Sequence, residues 1–282
     1  MKTPFLAILI ALFAAPPLMS QSLGCKDYQG IVTWNIRMNT PNDGVNAWPN
    51  RRNKVFSLLK EMKPKIICMQ EVLNDQLNDL AAALPEYGYA GAGRDDGKTA
   101  GEAVPVFYLK SCFRQIQNDH FWLSPTPDKP GVIGWDAACP RMVTWISLLD
   151  KTSGDTLFVF NTHFDHVGET ARQKSAEMVT RVADSIAGNQ PVFITGDLNS
   201  TPADKAYQTV LKAGYLDSRL ESKSDPMGPE YTFTGFSIGN KPGDRIDYIF
   251  FRNIRKIKSY LVRTDNDGKN YYSDHLPVKA GY

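Results

Sequence analysis

Cysteine is scarce in this chain: four in 282 residues, none in a Cys-x-x-Cys pair and none at zinc-ligand spacing. That excludes a disulfide framework and disfavours zinc. An excess of charge is lacking as well. Lys and Arg total 32 against 30 Asp and Glu, a formal net charge of +2. That is too little to coat DNA through many phosphate contacts, although a local basic pocket stays open. No Gly-rich phosphate loop occurs, which disfavours NTP-driven chemistry. Beyond the N-terminus no apolar run reaches the about 20 residues that span a bilayer. No repeat or low-complexity segment divides the chain. The 42% hydrophobic and 22% charged residues that remain are ordinary globular composition. A domain of this size buries a large core without covalent staples.

The N-terminus stands apart. Met1-Lys2 is followed by an apolar run from Phe5 to Ala15, then Pro16-Pro17 and small residues. This order reads as a signal peptide over residues 1–20, with cleavage near Ser20 or Ser22, and one domain over 21–282. Cys25 has Ser22 where a lipidation motif wants Leu, so an exported soluble protein, periplasmic or secreted, is expected rather than a lipoprotein. Cys68 sits in the apolar run Ile66–Met69 and reads as a core thiol. Cys112 and Cys139 flank predicted strands and are candidates to pair, which the sequence leaves open.

Periodicity predicts strands at 30–36, 65–70, 103–110, 113–122, 141–149, 155–162, 191–195, 245–251 and 254–262, with a last one from Leu276. Helices are predicted at 50–63, at 77–84 up to Pro85, at 169–187 and at 203–213. The first carries Val55, Leu58, Leu59 and Met62 on one face, and Pro64 ends it. Two long segments, 123–140 and 221–244, are rich in Pro, Gly, Ser and Asp. Loops of that length in a compact domain are often functional. The pattern fits one domain with helices packed outside a pair of sheets.

Several apolar strands end in polar groups that a core strand does not require. They are Trp34-Asn35, Gln70-Glu71, Asn161-Thr162-His163, Asp197-Leu198-Asn199 and Asp244-Arg245-Ile246-Asp247, joined by Ser273-Asp274-His275 before the last strand. Singly each has an ordinary structural explanation, such as a turn aspartate or a satisfied core histidine. Together they belong on one shared rim, where clustered function sits. Asn, Glu and Asp offer hard oxygens that suit Mg²⁺ or Mn²⁺. With two histidines and further carboxylates, the set suggests metal-assisted hydrolysis of a phosphate ester.

These motifs, in their order along about residues 30–282, resemble the endonuclease/exonuclease/phosphatase superfamily of metal-dependent phosphoesterases. The matching elements include Thr33-Trp34-Asn35-Ile36, Gln70-Glu71, Gly101-Glu102, Asn161–His166, Gly196–Asn199, Arg245–Ile249 and Ser273–Pro277. The resemblance implies an α+β fold, a four-layer αββα sandwich of two packed mixed sheets with helices outside. It implies Mg²⁺ or Mn²⁺, one or two ions, held by Glu71 with Asn35 and Asp274. Asp197 would orient or deprotonate the attacking water, and Asn199 would hold the phosphate. His275 would contact the scissile phosphate, oriented by Asp247. His163 would be a second phosphate-facing histidine, kept protonated by Glu102, with Arg141 as a phosphate clamp. Tyr108 follows the family's strand.

The superfamily spans nucleic acids, nucleotides, phospholipids and inositol phosphates, so the resemblance names no single substrate. The branch it looks most similar to is exported bacterial deadenylase-like proteins. Trp122, just before the 123–140 segment, and Trp135 within it could stack on a substrate ring, or Trp122 could be core. A monomer without a stable protein partner is expected. The reading of a different class is a binding module that kept the fold and lost catalysis. Glu71, Asp197 and His275 are all present, which favours the enzyme.

Overall fold

The computed structural model describes residues 24–239 and 243–282. The expected signal peptide and its cleavage position lie outside these residues.

Strand β1 (Ile31–Asn35) and strand β2 (Ile66–Gln70) are β-branched or apolar up to their polar last residues and buried throughout, as strands covered on both faces must be. They run parallel, in register from Ile31–Ile66 to Asn35–Gln70. The crossover between them is α1 (Trp48–Met62), with Pro49 in its first turn and a left-handed Lys63 after its last. Helix α2 (Asn74–Ala83) follows β2. Strands β3 (Tyr87–Ala90), β4 (Val106–Leu109), β11 (Ser259–Val262) and β12 (Val278–Gly281) complete this first sheet, in the order β11-β12-β1-β2-β4-β3.

The second sheet has the order β5-β6-β7-β8-β10-β9. Its strands are β5 (Phe113–Trp122), β6 (Met142–Asp150), β7 (Thr156–His163), β8 (Val192–Asp197), β9 (Leu216–Asp217) and β10 (Asp247–Arg252). Helices α3 (Glu169–Ala187) and α4 (Lys205–Lys212) pack on its outer face through Val179, Ala183 and Val210, against Phe160, Ile194 and Phe250. The inner faces meet in a core that joins Val32, Ile67 and Phe107 of the first sheet to Ile146, Val159 and Phe193 of the second, with α1 and α2 covering the far side. The result is the expected four-layer α+β sandwich.

One polar connection crosses this apolar core. Gln70 donates from Nε2 to Asn161 Oδ1 at 2.7 Å and to Thr33 Oγ1 at 3.0 Å. Asn161 in turn donates from Nδ2 to the carbonyls of Met69 and Pro105, at 2.8 and 2.9 Å. All three side chains are fully buried. This ties β1 and β2 of one sheet to β7 of the other.

Some expectations are corrected. The strand predicted at 103–110 begins only at Val106, because Ala103 makes isolated bridges to Val72 and Gly93 instead. The strand predicted at 254–262 keeps its last four residues; the charged stretch Arg255–Lys258 before it pairs only at Ile257. Cys112 pairs with Cys25 and not with Cys139. Cys112 precedes β5 and Cys139 precedes β6. These strands pair antiparallel from Phe113–Asp150 to Trp122–Met142, which puts the two cysteines at opposite ends of a hairpin about 30 Å long.

Candidate active site

Strands β1, β2, β7, β8 and β10 bring their polar ends to one edge of the sandwich, around a pocket of about 370 Å³. Asp197, the last residue of β8, sits at its floor and is 1% exposed. Its Oδ1 accepts the Asn199 N–H at 2.8 Å, and its Oδ2 accepts Asn35 Nδ2 at 3.1 Å. The same Oδ2 lies 3.4 Å from His163 Nε2 and 3.6 Å from His275 Nε2. Burial drives the Asp197 carboxyl well above the usual carboxylate range, against the pull of His275 and with the push of Asp247. Two residues beside it, Glu71 and Asn199, hold φ of 60° and 46°, strained left-handed backbone of the kind that clusters at functional sites.

The two histidines differ. His275 Nδ1 is 2.8 Å from Asp247 Oδ2, and Asp247 is wholly buried. Burial alone would favour neutral imidazole, but Asp247 and Asp197 outweigh it and raise His275 well above its ordinary value. His163 Nδ1 is 3.9 Å from Glu102 Oε2, within ion-pair range but with no hydrogen-bond partner among the described residues. Burial and the surrounding cations Arg141 and Arg94 lower it well below its ordinary value. Burial and these cations oppose the protonated His163 that the resemblance implies. Glu102 is near, yet Arg94 holds both its oxygens, at 2.9 and 2.6 Å. Glu102 also lies in the loop before β4 rather than in the strand.

Arg141 lies just before β6 and is 4% exposed. It faces the pocket from a nest of partners: Asp165 Oδ2 at 3.4 Å and His166 Nδ1 at 3.0 Å. Tyr108 does not reach the site. Its ring covers Gly88 of β3, where even a Cβ would lie 2.5 Å from it. It is absent from the pocket wall because the alternation along β4 turns it away.

The expected metal ligands meet unevenly. Glu71 and Asp274 face the same pocket, with Arg37 between them at 3.6 and 4.0 Å. Two carboxylates sharing one guanidinium are a hard-oxygen donor pair that a divalent cation fits. Asn35 turns its amide nitrogen to Glu71 Oε1 at 2.9 Å, while its oxygen accepts the Arg37 N–H. A ligand role for Asn35 requires that amide to turn over. Two other groups of potential ligands gather here, Asp197 with Asp247 and His275, and Cys139 with Asp165 and His166. In both, the imidazole is already engaged, by Asp247 and by Arg141 respectively.

Arg37, Met38, Arg94, His166 and Phe233 also line the pocket and were not singled out from sequence as site residues. His166 stands inside the Asn161–His166 motif, so a signal existed. Arg94 and Arg37 lie in irregular segments without one.

The chain matches the Endonuclease/Exonuclease/phosphatase family over residues 32–275. A solved endonuclease/exonuclease/phosphatase from Bacteroides vulgatus is 39% identical, with a TM-score of 0.85 over 89% of this chain and 97% of that one. A mannosyl-6-phosphatase from Bacteroides thetaiotaomicron is 32% identical, with a TM-score of 0.83 over 89% and 98%. Nocturnin of Drosophila melanogaster is 24% identical over 89% of this chain but only 46% of its own length. With its motifs on one rim of an αββα sandwich, this chain belongs to the endonuclease/exonuclease/phosphatase family and is a hydrolase acting on ester bonds.

Proposed function

We propose that this protein is an exported phosphoesterase, dependent on Mg²⁺ or Mn²⁺, that hydrolyses small phosphorylated molecules. The observation that carries the reading is Asp197 set between two histidines at the floor of a bounded pocket, with Glu71 and Asp274 on its wall. Asp197 holds the attacking water and takes its proton as the water oxygen bonds to phosphorus and the ester P–O bond breaks. Asn199 helps place that water. His275, held by Asp247, and Arg141, held by Asp165, meet the charge that grows on the phosphoryl oxygens. Glu71 and Asp274 would hold the metal, which would supply Lewis-acid stabilisation of the same charge.

The likeness to a mannosyl-6-phosphatase supports a phosphorylated sugar. Export rests on the N-terminal pattern and on the Cys25–Cys112 disulfide, which belongs to oxidising compartments. The protein acts as a monomer.

The test is a panel of hexose phosphates, inositol phosphates, nucleotides, sphingomyelin and short RNA or DNA, run after EDTA treatment and after return of Mg²⁺ or Mn²⁺. Turnover should vanish on chelation and return with metal, fastest on a small phosphomonoester. Full activity in chelated protein overturns the metal. Faster cleavage of RNA or sphingomyelin overturns the substrate class. No turnover of any compound favours the non-catalytic module. N-terminal sequencing of protein recovered outside the cytoplasm should begin near residue 21.

A further inference from the structure

The loop over residues 93–102 enters the site as a tight excursion. Arg94 N–H donates to the Glu102 carbonyl at 3.0 Å, Asp95 N–H to Ala100, and Trp122 Nε1 to the Arg94 carbonyl at 2.6 Å. Gly101 holds a φ of 79°, and a Cβ there would fall 2.5 Å from the Asp95 carboxylate. The turn therefore needs glycine, and it presents Arg94 and Glu102 side by side, both mostly buried. We propose that Arg94 is a positioning residue of this site: its guanidinium takes both oxygens of the Glu102 carboxylate and so leaves the His163 ring to Asn199.

One amide sets the tautomer of His163. Asn199 Nδ2 donates to the Phe164 carbonyl at 3.0 Å, which fixes which end of the amide is nitrogen. That nitrogen is 3.1 Å from His163 Nε2, so Nε2 accepts and the ring proton sits on Nδ1, toward Glu102. His163 in this state aims Asn199. A Glu102 carboxylate freed from Arg94 would bond to that Nδ1–H and favour a second proton on Nε2. Nε2 would then be a donor, facing the donor end of Asn199, and Asn199 would lose its place. The other charged groups around His163 are Arg141 before β6, Asp197 on β8, His166 after β7 and His275 before β12. None of these holds the Glu102 carboxylate.

The experiment is imidazole NMR titration of the folded chain, which has four histidines, with His163 assigned by its loss in His163→Gln. Arg94→Gln should raise the His163 titration by about 1–3 pH units, the usual effect of an opposite charge at close range. Arg94→Lys, which holds one oxygen at a time, should give a smaller rise, and it serves if Arg94→Gln does not fold. The double variant Arg94→Gln/Glu102→Gln should bring the titration back toward wild type. An unmoved His163 in either folded single variant overturns the proposal. So does a double variant shifted as far as Arg94→Gln, because the effect would then be loss of the arginine charge and not release of Glu102. The NMR arm does not depend on the phosphoesterase reading. A second arm does: the pH–rate profile on a phosphomonoester should move with the titration, whereas a merely structural role would lower the rate evenly at all pH values.

Discussion

Two histidines flank one carboxylate, and their carboxylate partners make them opposites. On the β10 side, among the described residues, no arginine or lysine competes for Asp247, and its Oδ2 goes to His275 at 2.8 Å. On the β4 side, Glu102 is claimed by Arg94, and His163 is left at 3.9 Å. Both histidines are almost fully buried, and burial pushes both toward neutrality. The difference comes from the charges around each ring: Asp247 and Asp197 face His275, whereas Arg141 and Arg94 face His163 and Arg94 also takes its carboxylate neighbour. A His–carboxylate pair read from sequence shows that the two residues are present, but a third residue sets the charge.

The largest expected effects test what lies between the arms. Asp197→Asn and His275→Ala should each lower turnover by about 10³-fold, within the range for losing a positioned base or a transition-state donor. Circular dichroism and melting should show a folded protein; wild-type rates in folded Asp197→Asn would end its assignment. Next come the two carboxylates compared directly. Asp247→Asn should cost about 10²-fold in kcat, because His275 loses the acceptor that orients and charges it. Glu102→Gln should cost only about tenfold in kcat, and it should destabilise the fold by about 3 kcal/mol, the lower end for breaking a buried ion pair and stranding Arg94. Equal kcat losses with unchanged melting would erase the distinction between the arms.

The smallest effect belongs to the support of Arg141. Burial raises the Asp165 carboxyl, but the N–H groups of Gly168, Val167 and Ala138, with Arg141, outweigh it and hold it at about 2. A depressed carboxylate stabilises the fold above its unfolded value near 4 and loses that contribution as pH falls toward 2. Wild type should therefore lose about 1–2 kcal/mol over this window. Asp165→Asn should be weaker by that amount at neutral pH and flatter below pH 4, measured by urea unfolding. A parallel pH dependence in the two proteins would remove Asp165 from the account.

Much of this was legible because strand ends are where a sequence shows its intentions. Asp197, Asp247 and His275 follow or precede β-branched runs that have no use for charge, and the structure brings them together. Gln70 and Asn161 gave the same signal and answer a structural need instead, since a polar residue at a strand end can face the rim or the partner sheet. Arg94 left no trace, because its role depends on an irregular turn that carries no period. The disulfide partner of Cys112 stays open in the sequence for want of register: pairing Phe113 with Asp150 is a long-range fact that spacing does not encode. Strand β3 went unread because Tyr87-Gly88-Tyr89 follows a proline and resembles a turn.

The Gln70–Asn161 connection has a bearing on catalysis that neither residue has chemically. Apolar faces resist separation but slide against each other at little cost, because dispersion and burial are non-directional. Glu71 is carried by one sheet and Asp197 by the other, each next to its strand's end. Slippage of one sheet by an ångström would spoil their mutual placement, and a misplacement of that size can cost 10²-fold in rate. Three directional hydrogen bonds between Asn161 and the first sheet, just beneath them, act as an alignment pin between the two plates. The amide pair is the gauge by which the two halves of the site keep their distance.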